Sequence, residues 1–306
     1  MTRAHCLCPL LCLLVLSAHG QDPVPKSKTL APVVWPIDVR IEHEVAYLPE
    51  NQAEKADLYY PLEKPANQRL PAVVIIHGGG FNDGDKGRPR EINIGRTLAL
   101  HGYVGMSINY RLAKVPGVAT WPQPVYDAKA AVRWQRMNAN RLGLDPAHIG
   151  VIGCSAGGNL AAMLALTGPA DEFDAPAPYP EVSAAVTCAI DFYGVIDLLD
   201  YHDMKMFAQT RREAPELYRR GSPSCYIDTA DAPILIVHST ADQTVDVSQS
   251  QKFAAALAQA GAPHELLLIP GAPHTFDLEP KQRDLRPVVL AFLGKYLDQP
   301  DKEISK

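Results

Sequence analysis

Gly153-Cys154-Ser155-Ala156-Gly157 carries a serine with a glycine two residues to either side. It follows the apolar run 148–152 and opens the helix-period stretch 156–166. A serine on a strand-to-helix turn holds its hydroxyl clear of the sheet, and the turn is too tight for side chains at the flanking positions. The helix start adds backbone N–H groups and positive dipole beside that hydroxyl. The bare pattern arises by chance in roughly one chain of this length in ten at ordinary Gly and Ser usage. Its weight therefore comes from its placement. A second chemical element, His77-Gly78-Gly79-Gly80-Phe81, follows the apolar run 72–76. Consecutive glycines let backbone N–H groups approach a substrate closely, and with the N–H of Ala156 they would form an oxyanion hole.

A serine nucleophile needs a base and an acid, which on such a scaffold follow it in the order serine, acid, histidine. Asp242 lies in the loop after the apolar run 234–237, and His274 lies in the loop after 265–269. Both would sit at the C-terminal ends of parallel strands, where open α/β sheets place their sites. Asp246, four residues on, is the competing acid; Asp242 is preferred because it is nearer the strand end. His77 and His238, at strand ends, are expected to make structural hydrogen bonds. The remaining histidines and cysteines never cluster at metal-ligand spacing, so neither metal nor cofactor is implied. Cys154 points the opposite way along the turn and is expected in the core.

The elements that must position these residues alternate. A hairpin, 40–48 with 55–60, precedes buried-strand runs at 72–76, 104–108, 149–152, 184–190, 234–237 and 265–269. Helix-period stretches lie between them, clearest at 126–140, 156–166, 248–260 and 284–297. This alternation predicts an α/β fold, a doubly wound, mostly parallel sheet with an N-terminal antiparallel hairpin. The stretch 191–231 lacks a clear core strand, holds Tyr193, Tyr201, Tyr218 and Tyr226, and reads as a short lid.

The 306 residues and net charge of −5, with no Lys/Arg run, argue against nucleic acid or an anionic membrane as the main partner. Residues 1–20 combine Arg3, an apolar run at 10–16 and Ala18-His19-Gly20, the pattern of a cleaved export signal; the run is too short to span a bilayer. A secreted or periplasmic protein is expected, with a Pro-rich leader at 21–36 and a single domain at 37–299. Of six cysteines, three leave with the signal, and a Cys188–Cys225 bridge is one option for the rest.

The chain resembles the polysaccharide-esterase branch of the bacterial α/β-hydrolases, which includes feruloyl- and acetyl-xylan-esterase-like enzymes. The resemblance runs over residues 57–297 and is carried by His77–Phe81, Asn109-Tyr110-Arg111, the stretch from Asp127 to Trp134, Ser155–Leu160, Asp191-Phe192-Tyr193-Gly194 and Val247-Ser248-Gln249-Ser250. It implies a serine esterase with Ser155, Asp242 and His274 as triad, and with Gly79, Gly80 and Ala156 as oxyanion hole. Two departures stand out, Ser239 for a usual glycine and Phe81 for a usual tryptophan. Phe81 is expected on the acyl side of the pocket, and Tyr193 among lid rings that stack on sugar faces. The expected substrate is a small-molecule or polysaccharide ester carrying short or aromatic acyl groups. Alternatives are a general short-chain carboxylesterase or lipase-like enzyme, a serine peptidase, and a non-catalytic binding protein on the same fold.

Overall fold

β3 (Leu70–Ile76) is apolar on both faces: Ala72, Val74 and Ile76 enter one core cluster, while Val73 and Ile75 enter a second. A strand of that kind must be covered on both sides, and the rest of the chain supplies the cover. The computed structural model describes residues 38–63, 68–174 and 176–298. The expected signal peptide and leader lie outside them.

Strands β1 (Val39–Ala46), β2 (Lys55–Pro61), β3, β4 (Val104–Ile108), β5 (Leu144–Cys154), β6 (Cys188–Phe192), β7 (Ile234–Ser239) and β8 (His264–Ile269) form one sheet in the order β1-β2-β4-β3-β5-β6-β7-β8. β1 and β2 pair antiparallel, as the hairpin pattern predicts, and β2 runs antiparallel to β4. Every other neighbouring pair is parallel. Helices α1 (Pro89–Leu100) and α7 (Arg286–Leu297) bury Ile94, Leu98, Val289 and Phe292 on one face. On the other face lie α2 (Gln123–Met137), the four-residue α3 (Ala139–Leu142), α4 (Ala156–Leu166) and α6 (Ser248–Ala260). This is the doubly wound α/β-hydrolase architecture.

Helix α1 was not anticipated, because its sequence PREINIGRTLAL buries Glu91 and Arg96 beside Ile94 and Leu98, which blurs the apolar stripe. Pro89 in its first turn and the Ile94/Leu98 spacing were the available signals. The strand expected at 184–190 is instead Cys188–Phe192, so it reaches two residues further toward the site. Cys188 and Cys225 are both free, Cys188 buried in β6 and Cys225 exposed, so no bridge joins them.

The segment expected as a lid is built into the core. It contributes the buried Val195, Leu198, Met206, Phe207 and Tyr218, and contains the short α5 (Pro215–Arg220). The Asn159 side-chain amide of α4 donates to Val195 O and Gly221 O at 2.8 and 3.0 Å, which pins the segment to the helix that follows the serine. Its tyrosines are engaged elsewhere. Tyr193 and Tyr218 are fully buried, while Tyr201 and Tyr226 donate to Thr244 O and Arg220 O. The structure does not present them as a sugar-stacking row.

Candidate active site

Ser155, between β5 and α4, adopts φ 56° and ψ −117°, a conformation that costs about 1–3 kcal/mol outside a specified turn. The turn is specified by close packing. A Cβ on Gly153 would lie 1.9 Å from Gly157 O, and one on Gly157 would lie 2.1 Å from Ile76 O. The Ser155 N–H donates to Phe192 O at 2.8 Å, fastening the turn to β6.

The three residues expected to act together meet. Ser155 Oγ lies 3.1 Å from His274 Nε2, and His274 Nδ1 donates to Asp242 Oδ2 at 2.6 Å. Asp242 Oδ1 accepts the N–H groups of Thr244 and Val245 at 2.8 and 3.0 Å. Burial works against ionisation of this carboxyl, but hydrogen bonds from His238 and His274 and then the two amides outweigh it and hold the group well below the usual carboxylate range. Asp246 is exposed and accepts the Ser248 N–H at the start of α6. Of the two acids weighed, Asp242 is the one whose carboxylate meets His274.

His238 completes the acid's surroundings. Its Nδ1 accepts from the Ser250 hydroxyl at 2.6 Å. Its Nε2–H faces Val245 O at 3.0 Å and Asp242 Oδ2 at 3.3 Å. Ser239, one of the two departures noted above, donates to Ala272 O at 2.5 Å and so ties the acid loop to the loop carrying His274.

The glycine loop lies against the serine: a Cβ on Gly78 would sit 3.1 Å from the Ser155 Cβ. Gly79 has φ 119°, and a Cβ there would fall 1.9 Å from Asp83 O, so only glycine fits. Gly79 O accepts from the N–H groups of Asn82 and Asp83, and Gly80 O accepts from the Asn82 side chain. With those carbonyls engaged inside the loop, its N–H groups are what it can offer a ligand. Ala156 opens α4, where an N–H lacks a carbonyl one turn back. His77 stacks on Tyr110 at 4.4 Å and donates to Gly78 O, while burial pushes its pKa down to about 4. It is a neutral structural residue.

Two expected substrate contacts are not placed as such. Phe81 is 0% exposed and packs in the core, so it presents no surface to an acyl group. Tyr193 is also 0% exposed. Its ring meets His274 edge-on at 4.7 Å, and its hydroxyl donates to Phe276 O at 2.5 Å while receiving Arg90 Nη1 at 3.3 Å. Arg90 is held in turn by Glu91 at 2.7 Å, and Asn93 reaches Asp277 at 3.1 Å. The first turns of α1 thus brace the histidine loop from behind, a role hidden in sequence with the helix itself. Tyr193→Phe keeps the ring but leaves the buried Phe276 O unpaired. It is expected to lower kcat about tenfold with KM within twofold, since a small misplacement of the base is felt in the chemical step. A change confined to KM would show that Tyr193 meets substrate after all.

This arrangement is that of a hydroxyl activated by an oriented imidazole beside backbone donors, which suits acyl transfer. A family model described as BD-FAE matches residues 56–257. The chain is 31% identical to Esterase LipQ of Mycobacterium tuberculosis over 264 residues, which is 82% of this chain and 61% of LipQ. It is 29% identical to Esterase LipC of the same organism, over 75% of this chain and 58% of LipC. The chain therefore spans about three-fifths of the length of these curated relatives. Among solved structures, the thermophilic esterase Est2 of Thermogutta terrifontis is similar with a TM-score of 0.70 and 27% identity, covering 87% of this chain and 95% of Est2. Est2 has also been solved with propionate and with butyrate bound. A truncated carbohydrate esterase from gut microbiota shares the fold, with a TM-score of 0.76 at 24% identity over 85% of this chain and 97% of its own.

Proposed function

The chain belongs to the BD-FAE family, and on that premise we propose that it is a serine carboxylic-ester hydrolase working through an acyl-enzyme. The observation that carries the proposal is the hydrogen-bonded line from Asp242 through His274 to Ser155, at 2.6 and 3.1 Å. His274 Nε2 takes the Ser155 proton as Oγ bonds to the ester carbonyl carbon. The oxyanion is received by the N–H groups of Gly79, Gly80 and Ala156, each such donor being worth about 10²–10³ in rate. The tetrahedral centre collapses, the C–O bond to the alcohol breaks, and the alkoxide takes the proton from His274. Water then attacks the acyl-enzyme with His274 again as base. The carboxylic acid leaves and Ser155 regains its proton. Ionised Asp242 holds the imidazole in the tautomer that leaves Nε2 free to accept.

For the substrate, we propose short acyl groups on sugar hydroxyls, supported by the motif resemblance. The signal-like residues 1–20 support an exported enzyme. A general short-chain carboxylesterase is the second reading, favoured by the propionate and butyrate complexes of Est2. The test measures kcat/KM on p-nitrophenyl esters from acetate to decanoate beside acetylated xylan oligomers and methyl ferulate, with a fluorophosphonate probe to label the serine. Labelling of Ser155 with highest efficiency on acetylated sugars is expected. Efficiency that climbs steadily to decanoate, with no release from sugars, would sink the carbohydrate reading. Absence of labelling would sink the mechanism.

A further inference from the structure

A cavity of about 450 Å³ opens on the same edge of the sheet as Ser155, beyond the glycine loop. It lies over the ends of β4 and β2, and among its lining residues are Glu54, Asp85, Arg111, Lys114, Thr120 and Gln123. The sheet order places β4 two strands from β5, whose end carries the serine, and β2 three strands away. At a strand spacing of about 4.8 Å the cavity is therefore roughly 10–14 Å from the nucleophile along the edge, the span of two or three linked sugar rings.

The lining says what would fit there. Arg111 is neutralised by Asp127, with Nη2 2.6 Å from Oδ1 and a second contact through Nε, so it offers no surplus charge to an anion. Asp85 is engaged by the Asn109 amide at 2.9 Å and the Gly87 N–H at 2.7 Å. Lys114 shares the rim with Glu54. An acyl chain would strip water from these groups without replacing it. Thr120 is held in place by its N–H to Met206 O at 2.9 Å with its hydroxyl buried, while Gln123 on the same wall is half-buried and carries an amide able both to donate and to accept. Beyond Lys114 a second hollow of about 360 Å³ opens between Pro116 and Met204, so the edge is grooved.

We propose that this cavity is a distal subsite for a neutral sugar residue in the alcohol portion of the ester, two or three units from the acylated one, with Gln123 as its hydrogen-bonding residue. The proposal rests on the esterase reading above and deepens it. A polymer laid along the edge would fill both places at once, so chain length adds affinity without altering the chemical step.

The test uses the full chain and two variants. Ala119→Trp fills the cavity from an exposed position on its wall, and Gln123→Leu removes the amide at nearly constant volume. kcat/KM is measured on p-nitrophenyl acetate, an acetylated monosaccharide and acetylated tetrasaccharides. Binding of unacylated xylotetraose and mannotetraose is measured by calorimetry. The wild-type chain is expected to favour one acetylated tetramer over the monosaccharide by at least tenfold, and to bind the matching tetraose. Ala119→Trp should abolish both effects and Gln123→Leu should reduce them about three- to tenfold, with p-nitrophenyl acetate hydrolysis within twofold throughout. No chain-length effect and no tetraose binding in the wild type, or either of them persisting undiminished in Ala119→Trp, overturns the subsite. Tetraose binding lost in Ala119→Trp, in a protein that hydrolyses no ester, would instead uphold the cavity as a sugar site and overturn the esterase reading.

Discussion

Ser155→Ala should lower kcat on p-nitrophenyl acetate by about 10⁴–10⁶, leaving only what the backbone donors and substrate binding supply. The fold should survive, because among the described residues the hydroxyl bonds only to His274 Nε2, and the N–H bond to Phe192 O that fastens the turn is kept. A further substitution separates chemistry from strain. Ser155 holds φ 56°, so Ser155→Gly relieves a conformation that alanine and serine share. It should be equally inactive yet more stable by about 1 kcal/mol, which is a rise of roughly 2–4 °C in Tm. Turnover in Ser155→Ala near that of the unmodified chain would remove the nucleophile and with it the mechanism. A fall in Tm for the glycine variant would leave the nucleophile standing and show that the turn is not strained.

Asp242→Asn is the second large effect, with an expected loss of about 10⁴ in kcat. The environment leaves the amide no comfortable orientation. If its oxygen keeps the Thr244 and Val245 N–H groups, its NH₂ faces both His274 Nδ1 and His238 Nε2. His274 must then carry its proton on Nε2, where it cannot accept one from serine. His238 cannot switch without losing Val245 O. Stability should fall as well, by about 1–3 kcal/mol for an unpaired buried donor. Asp246→Asn, at an exposed helix start, should change kcat less than threefold. The pH dependence has a definite sign. The carboxyl of Asp242 is depressed in the folded state, so the stability it contributes is complete above the ordinary carboxylate range. That stability is lost as pH falls through the depressed value, and the loss should vanish in Asp242→Asn. Equal kinetic losses in the two asparagine variants would show that the acid loop acts as a unit and not through one carboxylate.

The parts of the site legible in sequence are those whose geometry is local. An elbow needs small residues two positions from the serine because backbone meets backbone there, so Gly153 and Gly157 announce it. The glycine loop follows directly from a strand whose apolar residues face both ways, and Asp242 and His274 stand just past two further strands. Sequence position could rank Asp242 over Asp246, but only the folded loop shows one carboxylate turned to His274 and the other to the start of α6. Direction of side chains was the part sequence could not supply. Phe81 and Tyr193 flank the site in the chain, yet both point into the interior, because where a ring goes depends on the faces packed around it. Helix α1 is masked in the sequence because Glu91 and Arg96 interrupt its apolar stripe, and its Arg90–Glu91 pair braces Tyr193 behind the histidine. The cavity beside the glycine loop is the extreme case. Its walls come from residues 53–54, 84–85 and 109–123, distant in the chain and joined only when β2 and β4 pair and Arg111 closes on Asp127. Chemistry carried by neighbouring residues is written in the sequence, whereas a volume enclosed by separate segments exists only once tertiary pairing brings them together.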